Sequence, residues 1–303
     1  MIISVSRRTD IPAFYAEWFY NRLRAGYVLV RNHMNVHSVS KVALSPEVVD
    51  AFVFWTKNPL LLMKRLDELA EYPYYFQFTL TGYGKDIEPG LPDKKQVLLP
   101  AFKKLAAKIG RQSVIWRYDP IFFSSRYSAE YHLQCFEALA AELSGSTERC
   151  VISFMDEYRN TKRNAQKLCA VNYSSEEIYA FAARLAQIAS KYGLKLQTCA
   201  EKEDFTPLGI TASACIDKDL IENIGGFKLK AGKDKNQRPE CCCVASIDIG
   251  AYEYQRLFYP NLYVKPNGFG LGSSWDDAMG DLQEAIYSAY YSGDPEESGT
   301  YGT

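Results

Sequence analysis

The chain has 303 residues, 47% of them hydrophobic, and carries 35 basic against 36 acidic side chains for a formal net charge of −1. That length supports one large core or two modest ones, and the balanced charge lacks the basic excess that advertises a nucleic-acid partner. No run of about 18 apolar residues is present, which argues against a membrane span.

The chain opens on Met-Ile-Ile-Ser-Val-Ser-Arg-Arg, a short strand followed by charge. A signal peptide would place a longer apolar middle after a basic start. The expectation is a cytoplasmic protein whose eight cysteines are thiols rather than disulfides. Further apolar runs follow at residues 52–55, 75–80, 114–116, 151–154 and 194–196. Helical patterns lie between them. Ser45-Pro46-Glu47 reads as an N-cap with Pro at the first helical position. The apolar spacing of three and four over 128–143 predicts a core-facing helix. Ser174 and Glu177 have the capping-box spacing, and Ile216-Asp217 marks another helix start.

Short apolar runs separated by helices predict parallel strands with helical crossovers. The expected fold class is α/β, a (β/α) TIM-barrel-like arrangement, complete or incomplete, with a C-terminal cysteine-containing extension. Residues 1–225 form the barrel-like domain in this reading. Residues 226–267 form the extension, with a further strand at 244–249. Residues 268–303 form a divergent tail in which a short helix at 275–290 precedes a disordered end at 292–303.

Each apolar run ends in polar side chains: Ser6-Arg7-Arg8-Thr9-Asp10, Thr56-Lys57-Asn58, Thr79 with Thr81, Arg117-Tyr118-Asp119, Asp156-Glu157 and Thr198-Cys199-Ala200-Glu201. Strand ends of a parallel barrel converge on one face, where barrel enzymes keep their active sites. Arg7, Arg8, Asp10, Lys57, Arg117, Asp119, Asp156 and Glu201 are therefore the candidate catalytic or anion-binding residues. The competing reading is ion pairing at the mouth. His132 falls on a helix and is read as structural, while His33 and His37 fall in a loop.

Cys135, Cys150 and Cys169 sit in apolar patterns and are read as small buried hydrophobes. Cys199, Cys215, Cys241, Cys242 and Cys243 lie near polar or turn residues. In an extended segment Cys241 and Cys243 share a face and Cys242 points away. Cys199, Cys215, Cys241 and Cys243 are the candidate metal ligands, an all-thiolate set suited to zinc or an iron–sulfur cluster.

Several motifs resemble the domain-of-unknown-function 1848 family over about residues 1–252. They are Ser4-Val5-Ser6-Arg7-Arg8-Thr9-Asp10-Ile11-Pro12, Phe54-Trp55-Thr56-Lys57-Asn58-Pro59, Trp116-Arg117-Tyr118-Asp119-Pro120, Cys199-Ala200-Glu201, Cys215-Ile216-Asp217, and Gln237-Arg238 followed by the cysteines and Asp248-Ile249-Gly250. The resemblance implies a relation to radical S-adenosylmethionine proteins near the spore photoproduct lyase group, and an iron–sulfur cluster at Cys199, Cys215, Cys241 and Cys243. The family pattern continues with a Cys-x-x-x-Cys-x-x-Cys motif. Here Gln255, Tyr259 and Leu262 occupy those positions. The chain is therefore expected not to cleave S-adenosylmethionine.

Three functional readings follow: an iron–sulfur protein served by a reductant protein, a structural zinc protein, and a metal-free barrel hydrolase using Asp119, Asp156 and Glu201. The substrate stays open between a small molecule and a nucleic acid.

Overall fold

The computed structural model describes residues 1–6, 9–31, 39–155, 170–171, 173–199, 201, 203–229 and 246–249. In chain order the strands are β1 (Ile2–Val5), β2 (Tyr27–Arg31), β3 (Val39–Ala43), β4 (Ala51–Thr56), β5 (Tyr74–Thr79), β6 (Val114–Ile121), β7 (Phe123–Ser124), β8 (Arg149–Phe154), β9 (Ala170–Val171), β10 (Lys195–Thr198), β11 (Thr211–Ala212) and β12 (Ser246–Ile249). The α-helices are α1 (Ile11–Phe14), α2 (Ala16–Ala25), α3 (Leu99–Ile109), α4 (Ala129–Leu143), α5 (Ser175–Lys191) and α6 (Lys218–Gly225).

Eight strands form one sheet in the order β11-β10-β8-β6-β5-β4-β1-β12, and every neighbouring pair is parallel. From β1 to β11 the strands of this sheet follow one another in chain order, β12 returns beside β1, and two small antiparallel pairs, β2–β3 and β7–β9, lie outside it. This is the crossover architecture expected from the alternation of apolar runs and helices. A closed barrel is not shown: among the described residues β11 and β12 are not hydrogen-bonded to each other. The strand within the expected 226–267 extension, β12, pairs with β1 in register Ile2 to Ser246. No described helix is long and apolar enough to cross a membrane.

A parallel strand buried on both faces reads as a continuous apolar run, and period-two alternation sorts its side chains. Phe52, Phe54, Phe76, Phe78, Trp116 and Ile152 face the helices and join the main core with Phe19 of α2, Phe102 of α3, Phe136 of α4 and Phe181 of α5. The rings stack closely: Phe54 on Phe76 at 4.8 Å, Phe78 on Phe102 at 5.0 Å and Trp116 on Phe136 at 4.9 Å between centroids. The opposite face carries a second, smaller core of Ile2, Val53, Tyr75, Ile115 and Val151. Ile216, just before α6, and Leu220 and Ile221 on α6 cover it.

Helix ends follow their capping residues. Ser128 accepts from Tyr131 N at 3.2 Å, and Ser174 with Glu177 completes a capping box at α5. Asp217 caps α6, accepting from Leu220 N at 2.8 Å. Ser45-Pro46-Glu47 does not start a helix. It forms a turn with Val48 and Val49 N–H both bonded to the Ser45 carbonyl, because β4 begins at Ala51 and buried Leu44 and Val49 fix the chain on either side. The β2–β3 hairpin went unread in the sequence. The histidine candidates His33 and His37, Cys169, and the expected helix at 275–290 lie outside the described residues.

Phe76 is fully buried between Phe54 and Tyr74. Phe76→Ala is expected to lower the unfolding free energy by about 3–5 kcal/mol, read as a shifted urea midpoint with an unchanged slope.

Candidate functional site

The alternation that sends Phe54, Phe76 and Trp116 toward the helices sends Trp55, Gln77, Arg117 and Asp119 to the opposite face. The register sets these residues side by side, with Thr79 opposite Arg117 and Trp55 opposite Gln77. Arg117 is only 5% exposed. A guanidinium that deep needs partners for its charge and its N–H groups. It donates through Nε to Asp119 Oδ2 at 2.8 Å, and through Nη2 to the same oxygen. It donates through Nη1 to Gln77 Oε1 at 2.8 Å. Its carbon lies 4.9 Å from the centroid of the Trp55 ring, a cation–π arrangement.

Cys199 meets this guanidinium, and Cys215 lies against Cys199. Cys199 follows β10, held by its N–H to the Ile152 carbonyl at 3.1 Å. Cys215 arrives from the segment that leaves β11, crosses the smaller core and enters α6. Gln77 fixes that segment by donating Nε2 to the Cys215 carbonyl at 2.6 Å. Tyr75 Oη accepts from Asp217 N at 3.0 Å, and Arg149 pairs with Asp217. The result places Cys199 Sγ and Cys215 Sγ 3.6 Å apart. Neither cysteine is in a disulfide. The hydrogen bond from Cys215 favours the Cys199 thiolate, burial opposes it, and the Arg117 charge and hydrogen bond reinforce it, bringing the thiol down to about 6. A depressed pKa beside a cation marks a thiol able to bind metal or react.

The other described mouth residues hold the frame. Asp10 caps α1, accepting from Ala13 N at 3.0 Å, and also accepts from Lys57 N at 2.7 Å, so one carboxylate ties α1 to the end of β4. Burial pushes the Asp10 carboxyl up against the pull of these N–H bonds. Glu201 accepts from Phe154 N at 2.8 Å. Lys57 pairs with Glu88, which Lys94 also contacts. Lys94 donates further to the carbonyls of Thr81 at 2.9 Å and Tyr83 at 2.6 Å. His132 is buried and structural, bonded to the Phe122 carbonyl and the Tyr118 hydroxyl at 2.9 Å each. Cys150 is a fully buried thiol pushed up by desolvation, whereas Cys135 is half-buried.

Of the residues singled out from the sequence, the structure brings Arg117, Asp119, Cys199 and Cys215 together. Arg7, Arg8, Asp156, Cys241, Cys242 and Cys243 lie outside the described residues. Among the described residues no group of three or more His, Cys, Asp and Glu side chains converges as a metal site. Sequence reading missed Gln77, Trp55, Glu88 and Lys94. Gln77 had a signal: an amide inside the apolar run Tyr74–Thr79, on the same face as Tyr75.

The Glu88 carboxylate is 5% exposed. Burial would raise its pKa, but Lys57 and Lys94 together hold it below the ordinary value. A depressed carboxyl stabilises the fold above its unfolded pKa, and that contribution is lost as pH falls through the folded value. Glu88→Gln is expected to cost about 2–4 kcal/mol near pH 7, less than a fully buried pair because Lys57 is 40% exposed. The gap between variant and parent in urea unfolding should narrow below about pH 4.5, the unfolded glutamate range. In the reduced, metal-free protein, carboxamidomethylation at Cys199, followed by peptide mass spectrometry, should reach half its maximal rate near pH 6. Cys215→Ala should move that midpoint upward, toward the ordinary thiol value.

No curated protein matches this chain. A family model described as a domain of unknown function, DUF1848, matches residues 2–256. With most of its length covered by that match, the chain belongs to the DUF1848 family.

Proposed function

We propose that this chain is a metal-binding protein with a cysteine-thiolate centre, and that Cys199 and Cys215 are two of its ligands. The observation that carries this reading is the 3.6 Å approach of two thiols from different segments, beside a buried guanidinium. Thiolate is the ligand form of cysteine, and Cys199 already favours it. Arg117 offsets the negative charge that several thiolates around one centre would accumulate. Cys241 and Cys243 are the proposed remaining ligands, on the strength of their sequence spacing and the family motif. An iron–sulfur cluster and a zinc ion both suit an all-cysteine donor set. A reductant protein belongs to the first case alone.

The relation to radical S-adenosylmethionine enzymes rests on the motif resemblance. Under that reading this chain does not carry out the cleavage, because Gln255, Tyr259 and Leu262 offer no thiolate where the reactive cluster needs three. The consecutive strand order, with β12 beside β1, is that of an eight-stranded barrel cut between β11 and β12, and it supports a barrel-like closure around the centre. A hydrolase built on the mouth carboxylates is less well supported. Asp10 and Glu201 accept backbone N–H bonds and Asp119 holds Arg117, so these carboxylates are engaged in the frame.

The test is metal and acid-labile sulfide content of protein purified anaerobically. The expected result is bound metal whose content as purified Cys199→Ala, Cys215→Ala and Cys241→Ala each lower. Equimolar sulfide and iron with broad visible absorption would identify a cluster, and zinc without sulfide a structural ion. Metal-free protein with freely titrating thiols would refute the proposal.

A further inference from the structure

We infer that Cys199 and Cys215 bind the same metal atom, so the centre is built around one ion, or one iron of a two-iron cluster, chelated by this pair. This rests on the thiolate-centre reading above. Two thiolates on one tetrahedral ion, each at about 2.3 Å, lie about 3.8 Å apart. The observed Sγ separation is 3.6 Å. In a four-iron cluster each iron takes a single cysteine, and the ligand sulfurs sit on different corners, well beyond van der Waals contact. The observed spacing suits shared coordination and not that arrangement.

The spacing is held from both sides. Cys199 is fixed by its backbone bond to β8 and by the Arg117 guanidinium. Cys215 is fixed by Gln77, by the Asp217 N–H bond to Tyr75, and by the cap of α6. Gln77 joins the two arms. Its oxygen accepts from Arg117 and its nitrogen donates to the Cys215 carbonyl, so one amide aligns both sulfurs. Gln77 is a positioning residue for the chelate. Binding the ion displaces the proton shared between the sulfurs, which leaves to solvent.

Cobalt(II) is the probe, added anaerobically to the full chain after chelator treatment. The expected result is one cobalt per chain with tetrahedral thiolate spectra and a sulfur shell at about 2.3 Å by X-ray absorption. Cys199→Ser and Cys215→Ser should each remove one sulfur from that shell. A Cys241→Ser/Cys243→Ser double variant, which leaves the pair untouched, should retain two and remains informative if the single variants misfold. Gln77→Leu should weaken cobalt affinity about 10–100-fold while keeping the same sulfur count when saturated. A double variant retaining one sulfur or none on cobalt would overturn the shared chelate and leave the thiolate centre standing. So would iron and sulfide reconstitution giving a four-iron cluster that needs both cysteines. Wild-type protein binding neither cobalt nor iron would overturn the thiolate centre as well.

Discussion

The structure turns on a full positive charge placed inside a parallel sheet. Arg117 sits mid-strand, 5% exposed, where an unpaired ion would cost several kcal/mol. Everything near it answers that cost. Asp119, two residues on and so on the same face, supplies the counter-charge. Trp55 on β4 covers the guanidinium, and Gln77 on β5 accepts the N–H that Asp119 cannot reach. The field that remains acts on Cys199, whose thiolate it favours. Removing the charge would leave Asp119 uncompensated and Gln77 half-bonded, so site and frame are one network.

The larger architecture could be read before the structure because parallel strands advertise themselves. Both faces are buried, so the runs at Ile2–Val5, Ala51–Thr56 and Tyr74–Thr79 stand out as mainly apolar stretches between helical patterns. Ser128, Ser174 and Asp217 mark helix starts because a side-chain acceptor there satisfies an otherwise orphaned N–H. Closure of a barrel is a different kind of property. It depends on whether two edge strands meet, and no local pattern in β11 or β12 encodes that. The Ser45-Pro46-Glu47 reading failed for a related reason. Its capping chemistry is sound, but the distance to β4 leaves no room for a helix.

The site divides along the same line. Arg117, Asp119 and Cys199 are visible because charge and thiol at a strand end are conspicuous residue types. That Arg117 and Asp119 share a face follows from a period of two. That Cys215 meets Cys199 does not follow from any spacing. It requires the chain after β11 to fold back across the smaller core and dock its backbone on Gln77 and Tyr75. Those contacts are side chain to backbone and span well over a hundred residues, so they leave no periodic trace. Gln77 is the kind of residue such reading overlooks, a single amide in an apolar strand, and it decides where the second thiol lies.

This division also explains why the polar mouth is a poor guide to chemistry. Lys57, Asp10 and Glu201 are as conspicuous in the sequence as Arg117, yet their bonds, with those of Glu88 and Lys94, run to backbone N–H groups, to carbonyls and to one another. Such bonds satisfy the groups that parallel strands leave at their ends. Reactive capacity collects instead where a favourable bond is made to one protonation state only. Cys199 meets that condition. The bond from Cys215 and the charge of Arg117 both favour its thiolate, and the same two neighbours fix where that sulfur points. A sulfur whose thiolate is favoured, held still beside a second sulfur, suits the ligand role proposed for it.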